Sequence, residues 1–410
     1  MAVRMNCRSC GAAVGEPVLD LGLMPISNAL RRIEDPAPDA RFPLRLFVCP
    51  KCFLAQVEDV VPREALFHGD YAYLSSASSS WREHVEAYAA QMIAAGWARP
   101  GGTMVEVGSN DGALSSAFAR AGVRAIGVDP AANAAEIAAK KGVETVVGFF
   151  GAALAERLSS QGVSAEVMAA NNVLAHVPDL NDFVAGFARL LAPAGVATFE
   201  FPLVSALIAE GQYDTIYHEH YSYLSLTALR PLFARHGLAM TDVERLATHG
   251  GSVRLYVRHA GAGPVAAAVG ELEAEERAAG LADLAAYRTL ATKAAQQREA
   301  LRAFLSGLKR QGLSIAGYTA PAKATTLLNY CVIGTETLDY VVDSAPTKQG
   351  RRIPGVGVPI FAPAHMHANR PDIVLILAWN IAAEIACQLE PMVAQGTRLA
   401  LPMPIPGFLA

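Results

Sequence analysis

The densest run of reactive side chains in the sequence is Tyr217-His218-Glu219-His220-Tyr221-Ser222-Tyr223-Leu224-Ser225. Histidine ordinarily titrates near 6.5, so it can act as a base close to neutral pH. A carboxylate can orient such a base, and a phenol or a second histidine can donate a hydrogen bond to a developing oxyanion. Together these groups suit removal of a proton beside a ketone and stabilisation of the enolate, which leaves a carbon nucleophile. Two plainer readings stay open, a metal site and a surface turn. The H-E-H spacing lacks the H-E-x-x-H interval that sets two ligands on one helical face. In an extended segment His218 and His220 would share one face and Glu219 would take the other.

Two further constellations have useful spacing. Four of the six cysteines form two C-x-x-C pairs, Cys7 with Cys10 and Cys49 with Cys52. Each pair puts two thiolates on one tight turn, and two such turns make a tetrahedral S4 set suited to zinc. The 38 residues between the pairs must form a long returning loop. Four unrelated buried cysteines are the alternative. A redox role fits poorly, because neither pair opens a helix in a β-α unit. The segment Val105-Glu106-Val107-Gly108-Ser109-Asn110-Asp111-Gly112 is the other constellation. Gly108 lets the backbone turn sharply under a ligand, and Gly112 keeps the following helix close to it. Asp129, 21 residues beyond Gly108, can accept both hydroxyls of a ribose. The cofactor contacts expected are Glu106, Gly108, Asn110, Asp111, Gly112, Asp129 and Asn171. The spacing alone also permits a nicotinamide-binding turn.

The elements that must position these groups are legible. Strands are predicted at Thr103–Val107, Arg124–Val128, Glu144–Gly148, Glu166–Ala170 and Val196–Phe201, with alanine-rich helices between them. Such alternation means a doubly wound α/β sheet. Leu238–Val243 and Ser252–Arg258 follow without an intervening helix, which predicts an antiparallel edge. The fourth strand ends in Asn171-Asn172, where the ligand crevice of such a sheet lies. A charged helical stretch over Val269–Leu308 leads to a second, smaller α/β unit, with strands at Ser314–Gly317, Leu338–Val342, Ile373–Leu377 and Arg398–Leu401. Residues 1–65 are rich in turn formers and read as irregular. E-V-G-x-x-x-G, an aspartate at the end of the second strand, and Leu190-Leu191-Ala192-Pro193-Ala194-Gly195 before the fifth resemble a class I methyltransferase. That resemblance implies S-adenosylmethionine as the methyl donor. Tyr71 and Tyr73 can then pack in a core or close over the donor's sulfonium, whose charge favours an aromatic face.

Composition narrows the class. The 410 residues carry a net charge of −4, far from the basic footprint of a nucleic-acid binder. The most apolar stretch, Leu190–Ala209, contains Pro193, Glu200 and Pro202 and makes a poor membrane span. The start, MAVRMNCRSC, lacks the apolar run of a secretory leader. A soluble, cytoplasmic monomer or weak oligomer is expected, with no nucleic-acid or membrane partner.

The motifs taken together resemble the nucleotide-sugar C-methyltransferases of deoxysugar biosynthesis, which include enzymes that methylate C-3 of dTDP-linked 4-keto sugars. They are the C-x-x-C pairs, Y-x-Y-x-S-S at 71–76, E-V-G-S-N-D-G, N-N-V-L-A-H-V-P, Y-H-E-H, H-G-G-S-V-R at 249–254 and G-Y-x-A-x-A-K at 317–323. The resemblance spans essentially the whole chain. It implies a class I Rossmann-like methyltransferase core (66–260) between an N-terminal zinc-binding module (1–65) and a helical connection with a C-terminal Rossmann-like α/β domain (261–410). It implies a structural zinc remote from the chemistry, and His220 as the base beside the ketone. Tyr217, Glu219 and His176 would assist binding and enolate stabilisation, and Tyr71 or Tyr73 would line the site. The last domain would hold the sugar nucleotide. Tyr318 and Lys323 lie at a turn whose helix start suits a diphosphate, and Asp343 and Lys348 can reach ribose or base; ordinary β-α turn chemistry is the alternative for all four. Thr319 stands where family members often have glycine. O- or N-methylation of another small metabolite is the alternative activity.

Overall fold

The computed structural model describes residues 5–62, 66, 74–77, 79–246 and 251–409. Tyr71 and Tyr73, and His249 and Gly250 of the H-G-G-S-V-R motif, lie outside the described residues. The first part of the chain is more regular than its composition suggests. β1 (Leu19–Pro25), β2 (Arg41–Val48) and β3 (Ala55–Val57) form an antiparallel sheet, joined at β3 by Ser222–Tyr223 from just beyond the histidine cluster. Its turn-rich loops hid a set of short strands.

The central sheet has seven strands: β4 (Thr103–Val107), β5 (Arg124–Asp129), β6 (Glu144–Val147), β7 (Ala165–Asn171), β8 (Leu191–Pro202), β9 (Leu238–Leu246) and β10 (Ser252–His259). Their spatial order is β9-β10-β8-β7-β4-β5-β6. β4 to β8 run parallel, while β10 is antiparallel to both β8 and β9. The VMAA stretch of β7 reads as an unbroken small or apolar run because helices cover both sheet faces, and β4 departs from that pattern only at Glu106. The chain reverses direction between β4 and β7, and ligand crevices form at the carboxyl ends of strands there. Glu200 on β8 sits directly across from Arg254 on β10. The guanidinium donates to the Glu200 carboxylate from Nε at 2.7 Å, His84 Nε2 lies 2.8 Å from the other oxygen, and the Tyr88 ring packs under the cation at 4.2 Å. The arginine of H-G-G-S-V-R thus ties two strands together inside the protein.

The expected helix over Val269–Leu308 is instead two helices, Ala267–Ala278 and Leu284–Arg310. Gly280 adopts φ +80°, a left-handed conformation that ends the first, and the Asp283 carboxylate accepts from Ala285 N at 2.9 Å to start the second. Beyond them lies an eight-stranded sheet. Its parallel part consists of β11 (Ile315–Tyr318), β12 (Tyr340–Val342), β13 (Pro359–Phe361), β14 (Ile373–Ile376) and β15 (Arg398–Leu401), ordered β15-β14-β11-β12-β13. Arg31–Arg32, from the N-terminal region, adds an edge strand through Arg351–Arg352. The first 60 residues therefore brace both larger sheets. One apolar cluster joins Cys7, Cys49 and Cys52 to the central sheet, and another joins β1 and β2 to the last domain. Among the described residues no helix is long and apolar enough to cross a membrane.

Candidate active site

The Gly-rich turn lies at the carboxyl end of β4. Gly108 has φ +70°, and a Cβ there would sit 2.5 Å from Val173 Cγ2, so only glycine fits. Gly112 has φ +74° and opens helix Ala113–Arg120. Three carboxylates gather around this turn. Asp129, at the end of β5, accepts from Asn110 N and Ala131 N, each at 2.8 Å. Asp111 is paired with Lys141 Nζ at 3.2 Å. Glu106 accepts from Ser115 N at 2.9 Å and from its hydroxyl at 2.6 Å. Burial, reinforced by the charges of Asp129 and Asp111, pushes Glu106 up to about 8. Ser75 N donates to Asn110 Oδ1 at 3.0 Å, and Ser76 binds the Asp111 carboxylate. The serines of Y-x-Y-x-S-S, absent from the expected contact set, thus fasten that segment to the turn. The Asn171 side chain, at the end of β7, has its amide nitrogen and oxygen buried without a protein partner, as does Ser109 Oγ. Unpaired buried polar atoms beside a carboxylate-rich turn fit a ligand that carries donors, acceptors and positive charge. S-adenosylmethionine is such a molecule.

Val173 leads from the turn to the histidines. It precedes the short helix Leu174–His176, and the His176 ring lies 4.7 Å from the His220 ring, centroid to centroid. His176 Nδ1 is 2.6 Å from the Glu219 carbonyl, which assigns the proton to Nδ1. Burial pulls His176 down to about 4, so it is neutral at pH 7. His220 Nδ1 likewise donates to the Thr215 carbonyl at 3.0 Å, and its Nε2 meets the Tyr217 hydroxyl at 2.8 Å. His176, Tyr217 and His220 are half-buried, whereas His218 and Glu219 are buried.

The extended alternation expected for Y-H-E-H does not occur. His220 N donates to the Tyr217 carbonyl at 3.0 Å, which closes a turn. Within it His218 points away to the Pro43 carbonyl, at 3.2 Å, and the Glu219 carboxylate to Asn28 Nδ2, also at 3.2 Å. Two N-terminal residues that the motifs did not mark therefore grip the loop. The second Glu219 oxygen is buried without a partner, and burial raises the group to about 7.

The expected sugar-nucleotide residues divide into two sets. Asp343 accepts from Ala320 N at 2.8 Å, Ala345 N at 2.8 Å and Lys348 Nζ at 3.2 Å, while Tyr318 donates to Gln388 at 3.2 Å. These contacts close the C-terminal loops on themselves. Thr319 holds φ +67° with its hydroxyl buried and unpartnered, which explains why glycine suits that position elsewhere. Lys323 instead faces the central domain. Its ammonium bonds Asn380 and lies 4.2 Å over the Trp379 ring, and Trp379 Nε1 donates to Asp214 Oδ2 at 2.7 Å. This junction occupies the crevice between β11 and β14, the switch point of the second sheet.

The four cysteine sulfurs lie within 4.8 Å of one another, with Cys7 to Cys52 and Cys10 to Cys49 each 3.5 Å apart. Tetrahedral Zn–S bonds of about 2.3 Å separate sulfurs by roughly 3.8 Å, so the set fits zinc. Gly11 N donates to the Cys7 carbonyl at 2.9 Å and Phe53 N to the Cys49 carbonyl at 3.0 Å, making two like turns with φ +73° and +58° at Gly11 and Phe53. Arg8, inside the first turn, reaches the Pro178 carbonyl at 3.0 Å, the Val57 carbonyl at 2.6 Å and the Tyr221 ring at 5.2 Å. The metal module is thereby tied to the segments that follow both His176 and His220.

Over 407 residues, 99% of this chain and 97% of the relative, the sequence is 36% identical to C-methyltransferase NovU of Streptomyces niveus. The chain belongs to the C-methyltransferase family. Profiles matched along this C-methyltransferase are a zinc binding domain at residues 7–67, a methyltransferase domain at 81–243 and a C-methyltransferase C-terminal domain at 247–404. It is an S-adenosylmethionine-dependent C-methyltransferase with a class I Rossmann-like fold and an N-terminal zinc module. Among solved structures, magnesium protoporphyrin IX methyltransferase of Synechocystis with bound SAM matches 43% of this chain and 79% of its own, with 17% identity and a TM-score of 0.33. The PH0226 protein of Pyrococcus horikoshii matches 46% of this chain and 95% of its own, with 16% identity and a TM-score of 0.37.

Proposed function

We propose that this C-methyltransferase methylates a nucleotide-linked, dTDP-type 4-keto-deoxysugar at C-3. The observation that carries the reading is a line of contacts. Gly108 abuts Val173, Val173 leads into His176, and His176 packs against His220. The two histidines thus stand beside the turn that would hold the donor. S-adenosylmethionine supplies an electrophilic methyl group on sulfur. Glu106, Gly108, Asn110, Asp111, Gly112, Asp129, Asn171 and Tyr73 would hold it.

His220 accepts the proton from the carbon next to the ketone. Its Nδ1–H is committed to Thr215, so the imidazole takes the proton on Nε2 as the C–H bond breaks. Tyr217, bonded to that nitrogen at rest, is close enough to donate to the enolate oxygen when His220 is protonated. His176, kept neutral, adds a second polar group without a competing charge. The enolate carbon then forms the new C–C bond as the methyl–sulfur bond breaks and its electron pair stays on sulfur. Tyr71, Tyr318, Lys323, Asp343 and Lys348 would contact the sugar nucleotide, Lys323 nearest the histidine loop. The functional modules are proposed to divide near residues 65 and 260.

The test is α-proton exchange in D2O with a dTDP-4-keto-6-deoxysugar and S-adenosylhomocysteine, followed by NMR. Deuterium entering C-3 supports the reading, and entry at C-5 moves the methylated carbon. No exchange in a protein that binds the donor product removes this 4-keto-deoxysugar as the acceptor. His220→Asn is expected to bind S-adenosylhomocysteine normally and to lose exchange and turnover by at least a hundredfold. Near-normal turnover in that variant removes His220 as the base.

A further inference from the structure

The loop that carries His220 is anchored from the C-terminal domain at three successive points. Tyr213 OH lies 3.2 Å from Cys331 Sγ, Asp214 Oδ2 accepts from Trp379 Nε1 at 2.7 Å, and the Ile216 carbonyl accepts from Thr326 Oγ1 at 2.8 Å. The residue these anchors bracket is Thr215, whose carbonyl accepts from His220 Nδ1. Tyr213–Thr215 is a single 3-10 turn, so fixing its flanks fixes the direction of that carbonyl. Asp214 is fully buried, and its other oxygen has no partner. Burying a carboxylate is costly, and the indole hydrogen bond and the Lys323 charge offset part of that cost.

We infer that Asp214 and Trp379 are positioning residues: their hydrogen bond lets the C-terminal domain hold the Thr215 carbonyl so that His220 carries its proton on Nδ1 and presents Nε2 to the substrate. The role given to His220 rests on the function proposed above, whereas the tautomer does not. The C-terminal domain then does more than bind an acceptor, because it completes the base of the neighbouring domain. Groups near His220 are the neutral His176 from the segment after β7, Tyr217 on the same loop and Tyr223 from the short strand beyond. Groups near Asp214 are Lys323 and Cys331 on helix Ala322–Cys331 and Tyr213 on its own turn. The Lys323 charge opposes the effect of burial on Asp214 and favours the carboxylate as the indole's acceptor.

Two measurements on the full-length enzyme test this. The first is the side-chain nitrogen spectrum of 15N-histidine-labelled protein near pH 8, with the His220 signals assigned by their loss in His220→Asn. Wild type is expected to show the Nδ1–H tautomer, and Trp379→Phe a mixture of both. The second is the pH profile of methylation. Weakening the bond from Nδ1–H to its carbonyl destabilises the imidazolium, so in Trp379→Phe the acid limb is expected to move down by roughly one unit. Turnover should fall about tenfold, with S-adenosylhomocysteine affinity within twofold of wild type. Asp214→Asn keeps an oxygen for the indole and should retain the tautomer and most of the rate, whereas Asp214→Ala should lose both. An unchanged tautomer and acid limb in Trp379→Phe and Asp214→Ala overturns the inference. Full activity in His220→Asn sinks the proposed base, while the tautomer still decides the positioning role.

Discussion

Glu219 offers a sharp test of how the histidine loop is built. Its carboxyl is 3% exposed, with one hydrogen bond from Asn28 and one oxygen unpartnered. Burial therefore raises it from an ordinary 4.5 to about 7. In the unfolded chain the group loses its proton near 4.5, so between 4.5 and 7 the folded protein holds the extra proton. Stability must fall as pH rises through that window, with the full loss present above it. At 1.36 kcal/mol per unit, the displacement amounts to about 3 kcal/mol. Glu219→Gln keeps an oxygen for Asn28 and removes the charge. The variant should match wild type near pH 5 and exceed it by about 3 kcal/mol at pH 8. For a cooperative unit of 150–250 residues each kcal/mol moves the melting temperature by roughly 2–4 °C, so the gap should widen by roughly 6–12 °C. Scanning calorimetry of both proteins at several pH values measures it. Comparing the pair at each pH cancels every other titrating group, including the cysteines. A gap that stays constant from pH 5 to 8 would refute the claim that burial outweighs this carboxyl's hydrogen bonds.

Gly108→Ala should abolish S-adenosylhomocysteine binding in calorimetry. The left-handed backbone costs about 1–2 kcal/mol and the overlap with Val173 a further 1–3 kcal/mol. Val173→Ala in the same chain should recover part of the stability, and unaltered affinity in Gly108→Ala alone would show that the turn is not the donor's seat. Metal analysis should find one zinc per chain. Stripping it should lower turnover and melting temperature together, with both restored by zinc, because Arg8 links the knuckle to the loops after His176 and His220. Full turnover by a zinc-free protein would contradict that link.

Much of this organisation is written in local chemistry. The strand-turn-helix around Gly108 is legible because a positive φ and close approach demand glycine, and an acid follows at the end of the next strand. The cysteine pairs are legible because C-x-x-C matches one metal-binding turn. The central parallel strands stand out because burial on both faces leaves mostly apolar or small runs, as in Val167–Ala170. What stays hidden is what depends on distant partners. No pattern near Asp214 points to Trp379, 165 residues away. Arg8 looks like a solvated charge between two ligands until the Val57 and Pro178 carbonyls are seen beside it. The turn at 217–220 is hidden for a related reason. Alternation describes a free extended strand, and this segment is instead pulled into a turn by Asn28 and Pro43 on one side and Thr215 on the other.

On the mechanism proposed above, these hidden contacts give each of the three interlocked parts a task. A donor-binding sheet alone suffices when the acceptor atom is already nucleophilic. A carbon acid must first be deprotonated, and that needs a base held in one tautomer while the ketone oxygen meets a donor. The histidine loop lies beyond the last parallel strand of the central sheet, where few backbone hydrogen bonds would steady it. Here the zinc module supplies Asn28 and Pro43 together with the strand Ala55–Val57, and the C-terminal domain supplies Thr326, Cys331 and Trp379. The loop thus takes contacts from both flanking parts. Damage to the metal knuckle and damage to the C-terminal crevice should therefore converge on the proton-transfer step, and leave donor binding to the central sheet.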